Sequence, residues 1–136
     1  MTLPPTTDSV PQARGFARTT LEGSSIDVDT VLLLVSEVVT NALLHARSAI
    51  RLTIEDREDV VRIEVHDESP MPPRMQRFRL ASATGRGLRL LEQLSLAWGV
   101  ETGTGTGTGK IVWFEVGAAD ESAWDSFADD LLSGEL

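Results

Sequence analysis

One segment of the sequence carries an acid, an amide and an imidazole at regular spacing, because Glu37, Asn41 and His45 follow one another at intervals of four. On a helix this spacing places successive side chains about one turn apart, with a drift of roughly 40° per step around the axis. The carboxylate of Glu37 can orient or deprotonate a nucleophile. The amide oxygen of Asn41 suits a hard cation such as Mg²⁺. These residue types in this order indicate a candidate site for chemistry beside a phosphate.

The helix that must position them is the most apolar segment of the chain. Asp27 is placed to cap a helix from about Val28 to Ala46, which is apolar nearly all the way round and is therefore predicted to be buried. Burying a carboxylate and an amide costs stability unless they are paired or serve a ligand site. The alternative is that Glu37 and Asn41 bond to neighbouring backbone or lie at a polar edge of the helix.

Two further stretches offer ligand-binding groups. Asp67 ends a predicted strand and opens a long loop, where its carboxylate can accept a hydrogen bond from an exocyclic amine. Gly85, Arg86, Gly87 and Leu88 lie just before or at the start of a helix predicted from Gly87 to Leu96, so free backbone amides and the Arg86 charge make an anion site. The alternatives are a turn-initiating Asp67 and a hinge with a helix cap.

The remaining patterns predict the fold. Asp8 or Ser9 caps a helix that ends near Leu21, after an extended N-terminus. Two hairpins are predicted, one from Ile50 to Glu55 with Val61 to His66 and one from Ala97 to Thr102 with Lys110 to Gly117. Apolar residues at helical spacing predict a final helix over Asp120 to Ser133. We expect an α+β two-layer sandwich, a mixed or antiparallel sheet with helices on one face. Residues 1–117 form the predicted domain, and residues 118–136 an acidic helical extension.

Composition excludes several classes of function. The chain has 136 residues, a net charge of −9, no cysteine and two histidines. This balance argues against direct nucleic-acid binding, an anionic membrane surface, disulfides and a zinc site. No apolar run approaches the length of a membrane span and the N-terminus lacks an apolar leader, so we expect a cytoplasmic protein. The Gly-Thr repeat before Lys110 is not a P-loop, because Ile111 stands where Ser or Thr should follow and a strand succeeds it.

Taken together, these residues resemble one family. The segments Glu37 to Ala46, Asp67, and Gly85 to Leu88 look like the N, G1 and G2 boxes of the Bergerat ATP-binding fold, which histidine kinases and DNA gyrase share. Within that fold, the sequence is most similar to small bacterial regulators related to anti-sigma-factor serine/threonine kinases. The resemblance covers about residues 3 to 116.

The resemblance implies a role for each box. Asn41 would ligate the Mg²⁺ of ATP, and Glu37 would act as the general base towards an incoming hydroxyl. Asp67 would hold the adenine amino group, and Ile111 would stand where relatives often carry a hydroxyl near adenine. The nucleotide contacts would be completed by His45, Gly85, Arg86, Gly87 and Leu88, with Ser69 to Thr84 as a lid. The family phosphorylates a Ser or Thr of an anti-anti-sigma partner and sequesters a sigma factor.

Alternatives to a kinase stay open. Asp67 is followed by Glu-Ser-Pro rather than by the glycines usual in the family, which motivates a non-catalytic interaction regulator with weak or no nucleotide binding. The catalytic module of a two-component sensor is a third alternative, for which no helix with a phospho-accepting histidine precedes the site helix. A homodimer also stays open, because members of the family it resembles often dimerise, although the sequence identifies no self-complementary surface.

Overall fold

The computed structural model describes residues 1–45, 48–57, 59–68, 85–104, 109–119 and 132. It contains β1 (Thr2–Leu3), α1 (Ser9–Thr20), α2 (Val28–His45), β2 (Ile50–Asp56), β3 (Val61–Asp67), α3 (Gly85–Leu94), β4 (Ala97–Thr104) and β5 (Gly109–Val116). In the described parts of the chain, no helix combines the length and the apolar character needed to cross a membrane. The predicted lid (69–84) and, apart from Leu132, the predicted C-terminal helix (120–133) lie outside these residues.

All five strands form one antiparallel sheet in the order β1-β2-β3-β5-β4. The β2–β3 pair is the predicted first hairpin, with Arg51 opposite His66. The second predicted hairpin, β4–β5, joins the sheet through β5, which lies beside β3. The end of β3 therefore lies beside the start of β5, with Asp67 opposite Lys110. The N-terminal segment, predicted as extended, contributes only the two-residue edge strand β1.

The helices cover one face of this sheet, as predicted for a two-layer sandwich. Alternate residues of β3 are buried, and the intervening residues are partly exposed. α2 packs against β2, β3 and β5, while α1 and α3 lie on either side of it. The core between the layers is centred on the fully buried side chains Phe114, Leu34, Val35, Val39, Leu52, Ile63 and Leu91. The inner face of the sheet is thus apolar along most of its length.

Helix ends confirm one predicted cap and correct two other expectations. Asp27 caps α2: Oδ1 accepts the Thr30 amide at 3.2 Å and Oδ2 accepts the Thr30 hydroxyl at 2.7 Å. At α1, Asp8 is already helical (φ −66°, ψ −16°), and its side chain caps no amide among the described residues. The Ser9 hydroxyl instead donates to the Pro4 carbonyl, so the predicted side-chain cap is wrong.

The predicted start of α3 is also wrong, because the helix begins at Gly85 rather than Gly87. Packing of Leu90 and Leu91 into the core overrides the low helix propensity of the two glycines. The helix ends at Leu94, where the Ser95 hydroxyl bonds to the Leu91 carbonyl. The backbone amide of Leu96 then donates to the backbone carbonyl of Glu115 in β5 at 2.7 Å, so the chain joins the sheet directly after the helix.

Candidate functional site

The two polar residues of α2 are buried, as the sequence predicts. Glu37 is 8% exposed and Asn41 is 3% exposed, although both lie on a helix whose other buried positions are mainly apolar. Both groups already take part in polar or electrostatic interactions. Their burial excludes the alternative of a polar, solvent-facing edge. It leaves either a structural role or a ligand-binding role for the pair.

Asp67 lies at the same end of the molecule as the C-terminal end of α2. Only a short connection separates His45, the last residue of α2, from Ile50, which begins β2. On β2, Leu52 pairs with Val65 and Arg51 with His66, so Ile50 lies at the level of Asp67. The backbone amide of Glu68 also donates to Ser48 Oγ at 3.1 Å. The chain just after α2 is therefore bonded to the chain just after Asp67.

The N-terminal turn of α3 is directed towards this end as well. The C-terminal end of α3 leads directly into β4, which starts at Ala97 opposite Glu115, at the far end of β5. Since α3 packs against both β4 and α2, its first turn, Gly85 to Leu88, points back towards the end that carries Asp67. The first amides of any helix lack intrahelical acceptors and favour anions. The predicted anion site at Gly85 to Leu88 therefore stays a prediction, now placed within the first turn of the helix rather than before it.

Lys110 lies at the end of the sheet that carries Asp67, and the sequence motifs did not predict it as a site residue. Its Nζ lies 3.7 Å from Oδ2 of Asp67, and the two side chains are only 5% and 1% exposed. The signal was present in the sequence, because Lys110 continues the inward-facing alternation of Val112, Phe114 and Val116. Ile111 pairs with His66 and faces the opposite side of the sheet from Asp67. Ile111 therefore does not lie beside Asp67, the residue expected to hold adenine, and Lys110 lies there instead.

Helix α1 holds the turn of α2 that carries Glu37. Arg14 Nη1 donates to Ser36 Oγ at 2.7 Å, and the Ser36 hydroxyl donates in turn to the Leu32 carbonyl at 2.8 Å. Ser36 directly precedes Glu37, so this chain of hydrogen bonds fixes the helix next to the candidate base. The Arg14 guanidinium also brings a positive charge close to this part of the helix.

The donor set fits magnesium bound together with a polyphosphate. Among the described residues, no group of three or more His, Cys, Asp or Glu side chains forms a metal site. Mg²⁺ does not require one, since it commonly takes one or two protein oxygens and completes its shell with phosphates and water. The buried amide of Asn41 provides such an oxygen, with a carboxylate one helical turn away.

Comparison with known proteins identifies the family of this chain. A search of curated proteins found no match. A family model described as "Histidine kinase-like ATPase domain" matches residues 3–116, which include the three helices and five strands that the structure describes, apart from the first residue of β1. The matched range covers Glu37, Asn41 and Asp67. The chain belongs to the histidine kinase-like ATPase domain family.

Proposed function

We propose that this protein binds Mg-ATP at the end of the sheet that carries Asp67 and transfers the γ-phosphate to a serine or threonine of an anti-anti-sigma partner. Domains of its family bind ATP, usually with Mg²⁺. The observation that carries the proposal is the burial of Glu37 and Asn41 in the C-terminal half of α2, whose exit segment is bonded at Ser48 to the chain beyond Asp67. Burying an acid and an amide on a largely apolar helix has a desolvation cost even where both groups have polar partners.

In this proposal each residue of α2 has one task. The Asn41 amide oxygen ligates Mg²⁺, which neutralises phosphate charge when bound. The Glu37 carboxylate accepts the proton of the incoming hydroxyl as its oxygen attacks the γ-phosphorus. The bond from that phosphorus to the bridging oxygen of ADP breaks, and ADP leaves with the bond's electron pair. Because such transfers depend mainly on positioning and charge neutralisation, the rigid, buried helix is a suitable support.

The other predicted contacts hold the two ends of the nucleotide. Asp67 accepts a hydrogen bond from the adenine amino group. The amides of Gly85, Gly87 and Leu88 and the charge of Arg86 bind the phosphates at the start of α3. His45, the last residue of α2, completes the nucleotide contacts that the family resemblance implies.

The partner is proposed from the family resemblance. We propose that the protein sequesters a sigma factor and is countered by an anti-anti-sigma protein, which it phosphorylates. The net charge of −9 disfavours direct contact with nucleic acid, so a regulator of this kind would act through proteins.

A titration and a transfer assay test the proposal. Wild-type protein is titrated calorimetrically with Mg-ATP and then incubated with γ-labelled ATP and a candidate anti-anti-sigma protein. We expect Glu37→Gln to retain ATP binding and lose transfer by at least about 100-fold, as expected for a general base. Glu55→Gln is the matched control, because Glu55 is an exposed carboxylate at the far end of β2. Absence of binding at millimolar Mg-ATP would rule the proposal out.

A second candidate function is favoured by the Asp67–Lys110 contact. A carboxylate already engaged by a buried ammonium at 3.7 Å suits a regulator that holds its partner without nucleotide. In that case the partner would bind equally well with and without Mg-ATP, and no labelled phosphate would reach it. Transfer that is lost in Glu37→Gln excludes this alternative.

A further inference from the structure

The inner faces of β3 and β5 form four cross-strand pairs, and only the last is charged. Three pairs are apolar: Val61 with Val116, Ile63 with Phe114, and Val65 with Val112. The fourth, at the site end, is Asp67 with Lys110. On the other side of Lys110, β4 contributes Thr102, whose side chain carries no charge. The inner face thus changes from apolar side chains to an ion pair between one cross-strand pair and the next.

This ion pair is not what the fold itself requires. Removing two charges from water has a desolvation penalty that the attraction between them often fails to recover. Replacing such a pair with apolar residues of similar size is often neutral or stabilising. The three preceding pairs show that this sheet accepts apolar residues at equivalent positions. The position of the charged pair at the candidate base-binding end points to a role in binding.

We propose that Lys110 is a specificity residue, which reads the nucleotide base together with Asp67. This inference rests on the proposed ATP binding. Asp67 accepts from the 6-amino group, and the Lys110 ammonium donates to the neighbouring ring nitrogen N1. A carboxylate accepts several hydrogen bonds and an ammonium has three donors, so the contact between the two residues is compatible with both base contacts. Adenine presents a donor next to an acceptor, whereas hypoxanthine and guanine present the reverse order at these positions.

The test combines a substitution of the Lys110 side chain with the removal of one ring atom, N1, from the nucleotide. ATP and 1-deaza-ATP, which keeps the amino group but lacks N1, are titrated into wild-type protein and Lys110→Met. We expect wild type to bind 1-deaza-ATP about tenfold more weakly than ATP, since a donor left without its acceptor is costly in a buried site. The Lys110→Met protein should bind the two nucleotides with equal affinity, because the donor is gone.

Loss of the ammonium in Lys110→Met leaves a buried carboxylate at Asp67 without this partner, and the protein could then fail to fold. A second variant keeps the test decisive in that case. The double variant Asp67→Val/Lys110→Val continues the apolar pairs of the two strands, and we expect it to fold and to bind both nucleotides weakly and equally. Equal affinity of wild type for ATP and 1-deaza-ATP, or a wild-type preference retained in either variant, would overturn the role of Lys110 while leaving ATP binding intact. Failure of wild type to bind either nucleotide would instead overturn the proposed function.

Discussion

Ser48 Oγ accepts a hydrogen bond from the backbone amide of Glu68 at 3.1 Å, which ties the exit of α2 to the exit of β3. Asp67 directly precedes Glu68, and Asn41 lies seven residues before Ser48, one turn from the end of α2, so this bond links the segments that follow the proposed adenine contact and the proposed metal ligand. Ser48→Ala leaves that amide without this acceptor, at a cost of about 0.5–1.5 kcal/mol in unfolding free energy. We expect ATP affinity to fall about threefold to tenfold, measured by calorimetric titration.

The matched control for this variant is Ser24→Ala. Ser24 Oγ accepts the Ile26 amide at 3.2 Å, so the same kind of hydrogen bond is lost. Ile26 bridges to Ala118 beyond the end of β5, which is the opposite end of the sheet from Asp67. Ser24→Ala should lower stability to a similar extent and leave ATP affinity unchanged. An equal loss of affinity in both variants would mean that Ser48 acts only through general stability.

The cap of α2 should affect stability without affecting the site directly. Asp27→Ala removes the acceptor of the Thr30 amide and of the Thr30 hydroxyl, which belongs to a residue only 2% exposed. We expect a loss of about 1–2 kcal/mol in urea unfolding, at the upper end for an N-cap because a buried hydroxyl also loses its partner. Asp27→Asn keeps an acceptor and should lose less. Equal losses in the two variants would show that the charge, rather than the acceptor, stabilises this helix end.

Much of the fold follows from local patterns in the sequence. The alternation in β2 and β3 predicts a hairpin with one buried face, because a strand with one covered face must repeat every two residues. The nearly all-round apolar character of α2 likewise predicts its burial, and with it the burial of Glu37 and Asn41.

The Asp67–Lys110 pair could not be predicted in the same way. The two residues lie on strands separated by α3 and β4, and no local pattern sets the register between strands so distant in sequence. The start of α3 was missed for a related reason. Tertiary packing of Leu90 and Leu91, rather than the propensity of Gly85 and Gly87, decides where the helix begins.

The β2–β3 turn predicts a small dependence of stability on pH. The hydrogen bond from the Arg57 guanidinium lowers the pKa of Glu55 from its usual value of 4.5. A carboxyl whose pKa is lower in the folded state stabilises the fold above its unfolded pKa, and this contribution is lost as pH falls through the folded pKa. We expect the urea midpoints of wild type and Glu55→Gln to differ at pH 7 and to converge in acid below pH 4.5.

Salt provides the control for that comparison. Both groups are well exposed, with side chains 50% and 57% exposed for Arg57 and Glu55, so their attraction is screened by ions. In molar salt the difference at neutral pH should shrink towards zero. A difference that persists in acid and in salt would have to come from packing of the Glu55 side chain.

Alanine should lower the free energy of unfolding at one glycine and raise it at another. A Cβ on Gly99 would lie 2.8 Å from Nε1 of Trp113, whose indole packs across this position from the neighbouring strand. The Arg62 guanidinium covers the same indole, 4.2 Å from its centroid, and is held by Glu64 at 3.0 Å, so the ring is not free to move aside. Gly99→Ala should therefore cost about 1–3 kcal/mol.

Gly15, in contrast, lies within α1, and a Cβ there would meet nothing within 4 Å among the described residues. Gly15→Ala should stabilise the protein by about 0.4–1 kcal/mol, because alanine restricts the unfolded chain and favours the helix. Urea unfolding of both variants measures the two opposite changes in the free energy of unfolding.

Trp113 and Gly99 pair on the sheet face opposite Asp67, so ATP affinity should be unchanged in both folded variants. A loss of affinity in Gly99→Ala would show that the outer face of the sheet is coupled to the site.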